Sequence, residues 1–179
     1  ICISETNKKC KTTTDAAING HLECLKNLYK KKYRWDTETC VNAAKYGHLE
    51  CLKYAHENGC DMRKSVCEEA AFNTHLECLK YAIDNGCEWD MKWNVFVCSA
   101  AAKRGNLDFL KYAHEKNWKW DRETSYCAAA HGHLDCLKYV LENDPERDTS
   151  DTNICSLAAL YGHLDCLIYA REKGYEWDE

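Results

Sequence analysis

Apolar residues recur along this chain in two alternating patterns, clearest between residues 34 and 60. In 48–58, Leu49, Leu52 and Ala55 fall on one stripe at helical spacing with polar residues between them, which predicts an amphipathic helix. Ahead of it a shorter helix is predicted through Cys40 and Ala43-Ala44, whose small side chains allow a neighbour to pack closely, and Gly47 breaks that helix. Asp36 reads as its N-cap and Glu38 as an acid in the first turn, with Trp35 placed to meet Cys40 as a hydrophobic staple. Gly59 suits the left-handed residue that closes the second helix, and Cys60 the apolar contact that follows it.

The same plan returns. The stretch Gly47-His48-Leu49-Glu50-Cys51-Leu52-Lys53 has near-copies beginning at Gly20, Thr74, Gly105, Gly132 and Gly162, and successive copies are spaced by 27, 27, 31, 27 and 30 residues. Trp89-Asp90, Trp120-Asp121 and Trp177-Asp178 repeat the predicted staple and cap, while Gly86, Asn117 and Gly174 repeat the closing residue. The longest spacing carries extra residues around Met91-Lys92-Trp93-Asn94, about one α-helical turn, so the first helix of that copy is expected to be longer. Residues 143–148 are polar and hold the only proline, which predicts a longer exposed loop. No strand-like alternation or hairpin signal occurs. A lone unit of this size cannot bury its apolar face and must lean on its neighbours. The expected fold is all-α: an α-solenoid of stacked helix-turn-helix units spanning roughly 12–33, 36–60, 63–87, 90–118, 121–145 and 151–175 within a single body, 1–179.

Composition narrows the function classes. A net charge of -5 argues against a nucleic-acid or anionic-membrane surface, which would be basic. There is no run of about eighteen apolar residues, so no membrane span is expected. The chain opens at Ile1, which leaves targeting unreadable, and residues 175–179 repeat the opening of a unit, with Trp177 as a large apolar surface. The expectation is a longer parent chain or a partner that covers this end. Fourteen cysteines approach the density of a disulfide scaffold, but their placement argues otherwise. Cys24, Cys51, Cys78, Cys136 and Cys166 share one position with Phe109, so the site wants bulk rather than a thiol. Cys60 and Cys87 likewise interchange with Tyr33, Trp118 and Tyr175.

Taken together, Ala-Ala, two variable residues, Gly-His-Leu-Glu/Asp, an apolar pair and a closing Asn-Gly resemble the ankyrin repeat, over residues 12–179. Ankyrin units usually have about 33 residues, and the residues missing here fall where that family carries its β-hairpin fingers. The family's Thr-Pro-Leu-His opening is also replaced, for example by Glu38-Thr39-Cys40-Val41. The short cysteine-rich form is similar to arrays of algae, amoebae and giant viruses. The resemblance implies stacked helix pairs without fingers and a bracing role for the repeated His. It also implies core positions for Cys40, Cys67, Cys98 and Cys155, and an intracellular, reducing setting (cytoplasmic, or virion-associated). Its binding surface is a concave face lined by first-helix residues flanking Ala-Ala. On this chain those are Asp15, Ile18 and Asn19; Asn42, Lys45 and Tyr46; Glu69, Phe72 and Asn73; Ala100, Lys103 and Arg104; Cys127, Ala130 and His131; and Leu157, Leu160 and Tyr161. Tyr, Phe and Arg among them are common interface anchors.

Two chemical alternatives compete. His and Cys stand three residues apart in five copies, on one side of a helical turn, but zinc needs four converging ligands. Neighbouring units would have to share each ion across about 10 Å, and the ladder breaks at Asn106 and Phe109. No metal or cofactor is expected. No nucleophile elbow, phosphate loop or metalloprotease helix is present, so no catalysis is expected either. The expected function is a non-catalytic protein–protein interaction scaffold. The alternatives are a structural component of a larger assembly and, behind it, a Cys/His metal or redox protein.

Overall fold

In the computed structural model, which describes residues 10–144 and 148–177, each copy of the repeated stretch becomes a pair of helices joined by a tight turn. The chain divides into two compact units, Ile1–Trp89 and Asp90–Glu179. Unit 1 contains α1 (Thr13–Ile18) and α2 (Leu22–Lys30), α3 (Thr39–Lys45) and α4 (Leu49–Glu57), and α5 (Lys64–Phe72) and α6 (Leu76–Asp84). Unit 2 opens on a single 3-10 turn, Met91–Trp93. It continues with α7 (Asn94–Lys103) and α8 (Leu107–Glu115), α9 (Arg122–Ala130) and α10 (Leu134–Glu142), and α11 (Asn153–Leu160) and α12 (Leu164–Glu172). No strand occurs among the described residues, and within each unit the helix pairs form a solenoid of helix-turn-helix repeats. First helices pack on first helices, α1 on α3 on α5 and α7 on α9 on α11, and second helices on second helices.

The core follows from the apolar stripe. Leu25, Leu52 and Leu79 in unit 1 and Leu110 and Leu137 in unit 2 are fully buried, each contributing about 1.5–3 kcal/mol by burial. The alanine pairs Ala43-Ala44, Ala70-Ala71 and Ala128-Ala129 are equally buried, and their lack of bulk lets first helices approach. Cys40, Cys67, Cys98 and Cys155 lie with them at zero exposure. Cys60, Cys87, Trp118 and Tyr175, interchangeable in sequence, are all buried, whereas Tyr33 at the equivalent place is exposed.

The turn inside each repeat is held by two requirements on one residue. Gly47, Gly105, Gly132 and their counterparts adopt φ of +66 to +76, a left-handed conformation that Thr74 also takes at +58. The glycine is also where the next repeat's histidine lies. A Cβ on Gly132 would stand 2.4 Å from His163 Nδ1, and one on Gly47 2.6 Å from His75 Nδ1. Each ring is fixed by its other nitrogen. His48 Nε2 donates to the carbonyl of Ile18 (3.0 Å), His133 Nε2 to Lys103 (3.1 Å) and His163 Nε2 to Ala130 (3.1 Å). The bracing role expected of this histidine is therefore exerted between repeats.

Helix entry differs from expectation. Asp36 does not cap α3: the helix begins at Thr39, and Asp36 Oδ1 accepts the Glu38 N–H in a turn that leads into it. Among the described residues only the aspartate of the fifth copy caps directly, Asp121 accepting from Glu123 N–H. Trp35 is not a staple for Cys40. It stacks on Tyr29 at 4.9 Å, meets the edge of Tyr54 and donates Nε1–H to the Asn58 carbonyl, so its indole bridges neighbouring second helices. Trp120 is placed similarly against His114 and Tyr139. Trp177 lies under the Arg171 guanidinium, and Asp178 is outside the described residues. The extra turn before α7 forms as 3-10 rather than α, because Asp90 takes the Lys92 N–H on its carboxylate and the Trp93 N–H on its carbonyl. The predicted proline loop includes 145–147, which lie outside the described residues. No described helix is long and apolar enough to cross a membrane.

These contacts separate two kinds of glycine. Gly132→Ala should cost about 2–3 kcal/mol in denaturant unfolding, through left-handed strain and loss of the His163 bond. Gly59→Ala has φ of +89 but nothing near its Cβ, so it should lose only the conformational part, about 1 kcal/mol. Equal losses would refute the histidine seat.

Candidate functional site

The predicted surface residues lie at the C-terminal ends of the first helices. In unit 1, Asn42 and Lys45 belong to α3, Tyr46 is its C-cap, Glu69 and Phe72 belong to α5, and Asn73 caps that helix. Packing of α3 on α5 brings several of them together. Lys45 Nζ reaches Glu69 Oε2 at 3.3 Å, and Asn73 Nδ2 donates to the same carboxylate oxygen. This pair is partly solvated and contributes less than about 1 kcal/mol to stability. Phe72 is half-buried, whereas Tyr46 is 46% exposed.

In unit 2 the corresponding residues change character from helix to helix. Lys103 ends α7 and Arg104 caps it, both exposed; His131 caps α9 and is exposed. Ala100, Cys127 and Ala130 are half-buried. On α11, Leu157 is half-buried, but Leu160 is 73% and Tyr161 58% exposed. The surface therefore runs from cationic to apolar along this unit.

One role went unseen in the sequence. In four repeats the residue before the left-handed turn position bonds back through its side chain to a carbonyl four positions earlier: Asn19 to Asp15, Asn73 to Glu69, Arg104 to Ala100 and His131 to Cys127. These side chains satisfy carbonyls that the helix end leaves open. The signal was the run of donors at that position, which sequence reading assigned to binding alone. Tyr46 and Tyr161 stand at the same position with exposed rings. A second omission is the set of aromatic and His–Tyr contacts along the second helices, such as His56 Nδ1 to Tyr81 OH (3.0 Å) and His114 Nδ1 to Tyr139 OH (2.9 Å). Beside His114 and Trp120 a shallow groove also reaches Asn143 and Asp144.

Cys40, Cys51, Cys67, Cys78, Cys98 and Cys136 are buried packing groups. Burial raises the thiols of Cys51 and Cys136 to about 11 and those of Cys78 and Cys98 to about 12. Cys40 and Cys67 are also pushed up, by hydrogen bonding to Cys60 and Cys87 and by burial. None of these is a poised nucleophile, since the thiolate is the reactive form. The sign of the pH effect follows. Below the ordinary value of 9.0 folded and unfolded chains both hold these protons; above it the unfolded chain releases protons that the folded core retains. Under reducing conditions these thiols should leave Tm flat between about pH 7 and 8.5 and make it fall steadily above that. Replacing Cys51 and Cys78 by Val should flatten the fall, and an unchanged slope would place those protons elsewhere.

Comparison with known proteins agrees with this geometry. A family model described as Ankyrin repeats (3 copies) matches residues 13–93 and 98–178. Among solved structures, the crystal structure of the human ASB11 ankyrin repeat domain aligns with a TM-score of 0.71 at 17% identity, covering 95% of this chain and 86% of that one, a likeness of fold. No curated protein gives a significant match. Ankyrin repeats generally mediate protein–protein interaction, and with the family model matching most of its residues, this chain belongs to the ankyrin-repeat family.

Proposed function

We propose that this chain is a non-catalytic scaffold that binds a partner protein through the ends of its first helices. In unit 1 the surface comprises Asn42, Lys45, Tyr46, Glu69, Phe72 and Asn73; in unit 2 it comprises Lys103, Arg104, His131, Leu157, Leu160 and Tyr161. The observation that carries this reading is the exposure of Tyr46, Leu160 and Tyr161, large apolar groups that the core does not require. Exposed aromatics preordered on a helix end lose little entropy on binding and serve as anchors. The partner is another protein rather than nucleic acid, given the net charge of -5. A cytoplasmic, reducing setting suits a core built on buried thiols.

A second reading, packing within a larger assembly, is favoured by Leu164 and Ile168. They stand one turn apart on α12, a second helix, and are 64% and 47% exposed. Affinity capture from the source cells separates the two. Tyr46→Ala and Lys103→Glu should each weaken retention of a common partner by about tenfold, equivalent to about 1.4 kcal/mol, with stability unchanged within about 0.5 kcal/mol. Leu164→Glu with Ile168→Glu should leave that partner bound. The opposite pattern supports the assembly, and indifference to all four changes refutes the first-helix surface.

A further inference from the structure

We propose that Cys10, His21 and Cys24 form a metal site in unit 1, with Zn2+ as the ion that fits it. Cys10 Sγ lies 3.2 Å from His21 Nδ1, and the ligand atoms of all three side chains fall within 4.8 Å of one another. The sequence argument against metal was that two repeats would have to share an ion. Here no sharing is needed. The extra ligand comes from Cys10, which precedes the first repeat and belongs to no copy of the motif.

Each ligand is held in place. His21 is the N-cap residue of α2 and Cys24 lies in that helix's first turn, three residues on, so both face one side. Cys10 stands two residues before Thr12, where a capping box fixes the backbone: Thr12 Oγ1 accepts from Asp15 N–H, and Asp15 Oδ2 accepts from the N–H groups of Lys11 and Thr12. His21 also differs from its counterparts. In His48, His133 and His163, Nδ1 packs on the preceding repeat's glycine while Nε2 bonds to a carbonyl of that repeat. In His21 it is a thiol that Nδ1 meets.

The chemistry selects the ion. A tetrahedron with Zn–S near 2.3 Å and Zn–N near 2.0 Å has edges of roughly 3.5–3.8 Å, so the present arrangement needs only a small adjustment. Two thiolates and one imidazole suit zinc and exclude magnesium or calcium, which take oxygen ligands. Three protein ligands leave a fourth position for water. On binding, the two thiols give up two protons and form two Zn–S bonds, so affinity rises with pH.

The test uses the full chain, reduced and stripped by chelation. Titration with Zn2+ alone should show one tight equivalent, and Co2+ should give thiolate charge-transfer and tetrahedral d–d absorption. Cys10→Ser and His21→Asn should each weaken binding by about a hundredfold or more, whereas Cys51→Ser, at the ladder position of the next repeat, should not. His21→Asn guards against misfolding, because the fourth copy carries Asn106 at this place, capping α8 through Phe109 N–H; circular dichroism verifies that it folds. The absence of a tight equivalent would overturn the site. So would binding that survives both Cys10→Ser and His21→Asn or is lost in Cys51→Ser, or a Cys10–Cys24 disulfide without metal uptake.

Discussion

An imidazole N–H given to the last carbonyl of a neighbouring helix is the contact from which the rest of the structure follows. Ile18, Lys103 and Ala130, whose carbonyls accept from His48, His133 and His163, are the final residues of α1, α7 and α9. The last turn of a helix leaves such carbonyls without intrahelical partners, and the negative end of the helix dipole collects there. A donor supplied by the following repeat meets both needs and at the same time fixes the distance between repeats. Because the ring must lie over the turn of the earlier repeat, that turn has no room for a Cβ. Glycine is thus required by backbone conformation and by contact, which explains why it travels with the histidine.

Once that seat is set, the remaining repeated residues fill the space it defines. Alanine pairs let first helices approach, Leu25, Leu52, Leu79, Leu110 and Leu137 occupy the centre from the second helices, and cysteine fills further buried positions as a small apolar group. In the fourth copy Phe109 replaces the cysteine and packs edge-on to Trp118, where other copies carry Cys60 or Cys87, so an aromatic pair does the packing there. Chemistry that looked like repeated emphasis is therefore spent on packing, and variation is pushed outward to the helix ends.

How much of this was legible depended on the range of the interaction. Helix existence, the turn glycines and the closing Gly59, Gly86 and Asn117 were legible because each rests on local periodicity or on one backbone angle. Trp35 was not, since its partners Tyr29, Tyr54 and Asn58 lie on two different helices and only stacking brings them together. Asp36 was misread because aspartate two residues before an N–H serves an isolated turn as well as a helix cap. At the candidate surface, variability alone could not separate Asn19, Asn73, Arg104 and His131, which also close their own helices, from Tyr46 and Tyr161, whose exposed rings do not.

The same seat explains how one histidine position can serve two chemistries. A carbonyl can only accept, so in His48, His133 and His163 the proton must sit on Nε2, and a neutral ring then carries its lone pair on Nδ1. In those repeats Nδ1 lies against the turn glycine of the preceding repeat. Neutral His21 in that tautomer would direct the identical lone pair at the Cys10 sulfur, in the form a metal ligand requires. The repeat thus needs no new residue type to change from a bracing group to a ligand. It needs a sulfur against Nδ1, and Cys10 supplies it.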